Sequence, residues 1–238
     1  MTKFRQLVLG AAVAMALSAP VLAAPINVGG VIWDPDSPVD FNSTSGSIFQ
    51  NAGAIPLTGF GRIDFINTDP QSTFCPGCEL TFEFGGFVPL APFPNALGAY
   101  EYAGGFVNVY VDNSPDFALL AGTGYNDGVL WLSMTSASIF GSSALVTNVL
   151  TTLLGTIGDS GATGVGLLNV TGGLAKNNFD TNSRFGGADV EFQNSFTRLS
   201  QFTIGSGNFA ATTIPEPASV ALLGLGLLGM GALRRRKA

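Results

Sequence analysis

Glu79-Leu80-Thr81-Phe82-Glu83-Phe84 alternates polar and apolar side chains at every step. Successive side chains of an extended chain point to opposite faces, so this stretch sets Leu80, Phe82 and Phe84 toward a core and Glu79, Thr81 and Glu83 toward water. The same rhythm returns further along, where Val190, Phe192 and Asn194 oppose Asp189, Glu191 and Gln193. Between such stretches the apolar residues fall in short runs broken by Gly, Pro, Asn, Asp and Ser, which is the punctuation of a sheet protein. Strands are predicted over residues 26–33, 59–66, 79–88, 105–111, 129–136, 164–170, 188–197 and 201–204. One segment departs from the pattern. Val146, Val149, Leu150, Leu153 and Leu154 recur at helical spacing, with Ser142 or Ser143 as a cap and Gly155 as a stop, which predicts one amphipathic helix. The expected fold class is mainly β, an antiparallel, jelly-roll-like β-sandwich with that single helix, and closure into a barrel is the alternative. Residues 205–213 are small and polar and read as a flexible stalk. No internal repeat is evident.

Both ends of the chain read as processing signals. Lys3 and Arg5 precede an apolar run over residues 7–17, and Ser18-Ala19-Pro20-Val21-Leu22-Ala23 follows it. That is the layout of a secretory signal peptide over residues 1–23, and its apolar run is shorter than the roughly 20 residues of a spanning helix, which disfavours an uncleaved anchor. Cleavage between Ala23 and Ala24 puts Val21 and Ala23 where the peptidase reads, whereas cleavage after Ala24 leaves Pro25 directly behind the scissile bond. At the other end, Ile214-Pro215-Glu216-Pro217 leads into the apolar run 218–233 and then Arg234, Arg235, Arg236 and Lys237. As a helix this run would rise roughly 24 Å, short of the about 30 Å of a hydrocarbon core. It is read as a short transmembrane helix that stops transiently in the inner membrane, with the basic cluster on the cytoplasmic side and the body outside.

The order Pro215-Glu216-Pro217, short Gly- and Leu-rich run and terminal Arg-Arg-Arg-Lys cluster resembles the PEP-CTERM sorting signal, found on exported proteins of Gram-negative bacteria that make exopolysaccharide. The resemblance covers residues 214–238 and implies recognition and cutting near the Pro-Glu-Pro motif by an exosortase, a membrane cysteine peptidase. It implies a route and assigns no activity. The domain plan is then signal peptide 1–23, β-rich extracellular domain 24–204, polar stalk 205–213 and sorting signal 214–238.

Processing changes the charge of what remains. Six of the ten Lys and Arg residues leave with the two ends, against only Glu216 of the sixteen acidic ones, so the body carries a net charge of −11. Arg62, Lys176, Arg184 and Arg198 are its only fixed cations, too few to form a phosphate-binding stripe, which excludes nucleic acid as a partner. The chain has no histidine, which excludes Ser-His-Asp and Cys-His nucleophile systems and imidazole zinc sites. A body of about 190 residues is long enough for one domain with a real core.

Cys75-Pro76-Gly77-Cys78 places Pro and Gly where a type II turn requires them, and such a turn brings its ends within about 7 Å, close enough for a disulfide in an exported chain. The rival reading is a thiol-redox pair, which needs a helix N-terminus or a cation to lower the thiol pKa; the neighbour here is the anionic Glu79. Asp34-Pro35-Asp36-Ser37-Pro38-Val39-Asp40 raises a calcium loop against a solvated, proline-rich turn, but Pro38 and Val39 stand where an EF-hand needs an oxygen ligand and a glycine. A glycosidase needs two facing carboxyl groups about 5 to 10 Å apart. Glu79 and Glu83 lie too far apart on one strand face at about 13 Å, while Asp189 and Glu191, at about 6.6 Å, pass on distance but read equally as a wet strand face. Trp33 and Trp131 offer rings for sugar stacking or for a core.

A second resemblance runs through the body. Val28-Gly29-Gly30-Val31-Ile32-Trp33-Asp34-Pro35, Phe74-Cys75-Pro76-Gly77-Cys78-Glu79-Leu80-Thr81, Gly172-Gly173-Leu174-Ala175 and Phe179-Asp180-Thr181-Asn182 are similar to the flocculation-associated PEP-CTERM proteins. This implies a protein that works with extracellular polysaccharide in holding cells together, with no catalytic residues to transfer. The expectation is a non-enzymatic protein of the cell surface or extracellular matrix, without metal or cofactor, whose partners are the Sec translocon, signal peptidase, exosortase, the inner membrane in passing, and exopolysaccharide in flocs or biofilms. The alternative is an extracellular carbohydrate-binding or carbohydrate-active domain.

Overall fold

The computed structural model describes residues 23–37, 40–51, 56–89, 100–137, 149–154, 162–199 and 202–214. A short hairpin opens the body, β1 (Ile26–Val28) and β2 (Val31–Trp33). Then come β3 (Phe41–Asn51), β4 (Leu57–Arg62), the small pair β5 (Phe65–Ile66) and β6 (Asp69–Pro70), and the single helical turn α1 (Gln71–Phe74). The long strands follow: β7 (Glu79–Pro89), β8 (Tyr100–Asp112), β9 (Val129–Ser136), β10 (Val149–Leu154) and β11 (Ala162–Gly172). A second helical turn, α2 (Lys176–Phe179), precedes β12 (Val190–Leu199) and β13 (Phe202–Ala211).

The antiparallel ladder runs β3-β4-β7-β8, then through a position shared by β9 and β10, to β11-β12-β13, and β13 pairs back onto β3 from Phe202↔Asn51 to Ala211↔Phe41. The result is a closed eight-stranded barrel, which overturns the expected jelly-roll-like sandwich. The physical reason lies in β3 and β13. A sandwich leaves edge strands with unpaired N–H and C=O groups, whereas here the last strand satisfies both neighbours at once.

Three further expectations are corrected. Residues 205–213 form no stalk: β13 is paired on both sides through Ala211, with Phe209 and Ala211 buried. Its small residues make room for neighbours, since a Cβ at Gly207 would come within 3.0 Å of Ile48 Cδ1 and 3.1 Å of Phe192 Cε2. The helix read around residues 146–154 is a strand over Val149–Leu154, which pairs β8 on one side and β11 on the other; residues 142–148 and 155 lie outside the described residues. Residues 26–33 are a hairpin rather than one strand, turning at Gly29 and Gly30 with φ of 64° and 94°. Residues 1–22 of the signal peptide and the short transmembrane helix fall outside the described residues, and among the described residues no helix is long and apolar enough to cross a membrane.

Eight strands leave a bore just wide enough for side chains to fill. Phe82, Phe87, Phe192, Phe196 and Phe209 fill it, with Phe209 packed at 5.4 Å from Phe82 and 4.5 Å from Phe192 between ring centroids. Interior glycines accommodate these rings: at Gly61 a Cβ would stand 2.7 Å from Phe82 Cζ. Among the described residues, the space left beside Gln50, Leu57 and Asn194 is about 30 Å³, room for about two waters.

One end of the barrel is sealed by the β1–β2 hairpin over an aromatic cluster. Phe179 lies 4.8 Å from Phe41 and 5.4 Å from both Trp33 and Trp131, and all four rings are buried. The Trp131 indole N–H donates to the Val28 carbonyl at 2.9 Å, pinning the hairpin down. Both tryptophans are therefore core residues, 3% and 1% exposed, and unavailable for stacking on sugars.

Candidate functional site

The four body motifs meet at this sealed end. Trp33 and Phe179 supply two of its rings, Ala175 N–H donates to the Trp131 carbonyl at 2.8 Å, and a Cβ at Gly30 would stand 3.6 Å from Cys78 Sγ. Cys75 and Cys78 are buried and disulfide-bonded, with Cα atoms 5.2 Å apart. Gly77 has φ of 81°, the left-handed value a type II turn demands at its third position. Motifs scattered along the sequence thus build a single cap.

The chain leaves the body through the same cap. Asp40 accepts from Thr213 N–H and from Thr213 Oγ1, both at 2.6 Å, and the Trp33 indole N–H donates to Thr213 Oγ1 at 3.3 Å. Ile214 N–H donates to the Asn178 carbonyl at 2.8 Å, and Asn178 Nδ2 returns a bond to the Ile214 carbonyl at 3.2 Å. Pro215, Glu216, Pro217, Arg234, Arg235, Arg236 and Lys237 lie beyond, outside the described residues. Of the leader cleavage pair, Ala23 and Ala24 precede β1, and the Ala23 amide donates to the Asp36 carboxylate.

The acidic residues resolve into separate tasks. Asp40 holds Thr213, and Asp34 Oδ1 accepts the Asp36 N–H at 2.9 Å, so the loop is a hydrogen-bonded turn. Asp189, 2% exposed, accepts Val170 N–H through one oxygen at 2.8 Å, and Thr181 and Asn182 N–H through the other at 2.8 and 2.6 Å. That carboxylate fastens the loop after α2 to β11, while Glu191 faces outward and accepts from Gln193 Nε2 at 2.6 Å. The pair is not set up as facing acid and base. Glu79, Asp112 and Asp116 gather carboxylate oxygens within 4.8 Å, an all-oxygen set that suits a hard cation. Glu79 Oε1 is already engaged by Asp116 and Phe117 N–H at 2.8 and 2.9 Å, so it anchors the loop over residues 113–128. Burial pushes the Glu79 carboxyl up from its ordinary value, and those two amides oppose the rise.

Cross-strand register creates a surface that the sequence does not announce. Phe49, Phe60, Glu83, Asn108 and Ser133 are successive partners across β3, β4, β7, β8 and β9 on the outer wall. Phe60 stacks between Phe49 at 5.0 Å and Tyr125 at 4.4 Å, and these rings are half-buried. Beside them Glu83 accepts from Tyr110 OH at 2.6 Å and from the exposed Asn126 Nδ2 at 3.1 Å, and Ser133 Oγ donates to Asn108 Oδ1 at 2.8 Å. Burial first and the adjacent Glu83 second push the Tyr110 hydroxyl up to about 12. Flat apolar rings next to paired oxygen and amide groups can stack on a sugar ring and bond its hydroxyls.

The chain leaves the described body at the sealed end of the barrel, with Thr213 and Ile214 both bonded to the cap. The family model of the PEP-CTERM protein-sorting motif matches residues 213–237, starting at the Thr213 that Asp40 holds. The chain carries this motif: it is an exported, exosortase-processed protein with a membrane-associated C-terminal sorting signal. No curated protein and no solved structure matches the chain.

Proposed function

We propose that the protein is a non-enzymatic component of the cell surface or extracellular matrix that associates with exopolysaccharide and promotes floc or biofilm formation after exosortase processing. The observation that carries the reading is the outer-wall row, in which Phe49, Phe60 and Tyr125 stand beside Glu83, Tyr110, Asn108 and Asn126. A long polymer can be met along such a wall, whose partners run across five strands. The Sec translocon and signal peptidase would start the route, the inner membrane would hold the chain in passing, and the barrel would need no cofactor.

The test is retention of the purified body on the native exopolymer. Tyr125→Ala and Asn126→Ala are expected to weaken retention roughly threefold to tenfold, the range of one lost ring contact. The cap tryptophans report that the fold is kept. Unchanged retention in both variants refutes the surface. Release of reducing ends during the incubation would instead establish the carbohydrate-active alternative. In cells, deletion should reduce flocculation while polysaccharide synthesis continues.

A further inference from the structure

We propose that, while the sorting signal is attached, the sealed end of the barrel lies against the membrane, held there by a tether too short to bring the far rim down. Ile214 is the last described residue, and two bonds to Asn178 fix it to the body. Only Pro215, Glu216 and Pro217 separate it from Ala218, where the apolar run of the membrane-associated signal begins. Four residue steps reach at most about 14 Å, and two prolines remove slack. The eleven-residue β7 spans about 36 Å along its length, or about 28 Å along the barrel axis at a tilt near 40°. The far rim therefore cannot approach the bilayer while the sealed end stays away from it.

The surface at the sealed end fits an interfacial position. Leu174, Phe185 and Ile214, 52%, 67% and 46% exposed, are large apolar side chains in the loops after β11, before β12 and after β13. Lys176, which opens α2 and donates to the Thr171 carbonyl at 3.4 Å, and Arg184, in the loop before β12, offer cations to headgroup phosphates. The exposed Asp34, Asp36 and Asp180 keep the contact shallow, since burying them unpaired in hydrocarbon is costly. With a body charge of −11, the orientation comes from the tether and not from attraction to an anionic surface. It leaves the row on the side wall of the barrel off the bilayer, and it stands whether or not that row binds sugar.

The experiment uses the full chain in vesicles of phosphatidylethanolamine and phosphatidylglycerol that carry a headgroup quencher. A fluorophore is placed at Leu174→Cys on the sealed end or at Thr197→Cys on the outer wall near the far rim; both native cysteines are disulfide-bonded and stay unlabelled. Quenching is expected to be several-fold stronger at position 174 than at position 197. Inserting a Gly-Ser segment of about twelve residues between Ile214 and Pro215 adds roughly 19 Å of reach and should shrink the difference. Equal quenching at the two positions overturns the proposal, and so does a difference that the insertion leaves unchanged.

Discussion

Phe179→Ala tests the idea that the cap is a packed part of the core. Phe179 is fully buried and touches the rings of Trp33, Phe41 and Trp131 at 5.4, 4.8 and 5.4 Å. Removing a buried phenylalanine costs about 3 to 5 kcal/mol, from lost transfer energy and the cavity left behind. In a domain of this size each kcal/mol moves Tm by about 2 to 4 °C, so the drop should be about 6 to 20 °C. The assay is unusually direct. The protein has two tryptophans and both lie in the cap, so tryptophan emission reads this region, while far-ultraviolet circular dichroism reads the barrel. The variant should emit further to the red, and its two melting curves should coincide at the lower temperature. Phe179→Leu should recover much of the loss. A Tm within about 2 °C of the parent, with unshifted emission, would refute a packed cap.

Reducing the Cys75–Cys78 bond, or replacing both residues by Ser, should lower stability by about 2 kcal/mol in urea unfolding, as expected for so short a loop. Gly61→Ala drives a Cβ toward Phe82 Cζ and the Ser47 carbonyl, both at 2.7 Å, and should cost about 1 to 3 kcal/mol; Phe82→Leu in that background should return part of it. The Tyr110 hydroxyl should ionise at about 12, read by ultraviolet absorbance. Because the folded protein holds that proton more tightly than the unfolded chain, stability should fall as pH rises from 10.0 toward about 12. Glu83→Gln should move the ionisation down only part of the way, since burial is the larger cause.

The strands with large apolar residues at every second position were legible, β7 and β12 above all, and so was the Cys-Pro-Gly-Cys turn, but Glu79 and Thr81, expected to face water, are buried, Glu79 under the loop it anchors. β3 was not. Its inward positions include Ser43 and Ser45, buried polar residues opposite Phe209 and Gly207, so the stretch reads as a loop until the facing strand is known. β10 misled because Val149, Leu150, Leu153 and Leu154 suit a helical face as well as a strand, and what decides is the gap between β8 and β11 that the segment fills. The tail lock joins residues 173 apart, and the outer-wall row depends on register across five strands; neither leaves a local pattern. The candidate acid pair failed for a related reason, since distance along a strand says nothing of the amides that claim Asp189.

The position between β8 and β11 is filled end to end by two strands, β9 beside Phe106–Val111 and β10 beside Tyr100–Ala103, with Gly104 and Gly105 at the joint in left-handed conformations. That seam divides the wall into storeys. β9 braces the storey next to the cap and β10 the storey beyond it, and each is paired to both β8 and β11 through its own residues. Because the two ladders are separate, a proline in β10 should open only the farther storey and leave intact the bonds that hold the exit of the chain.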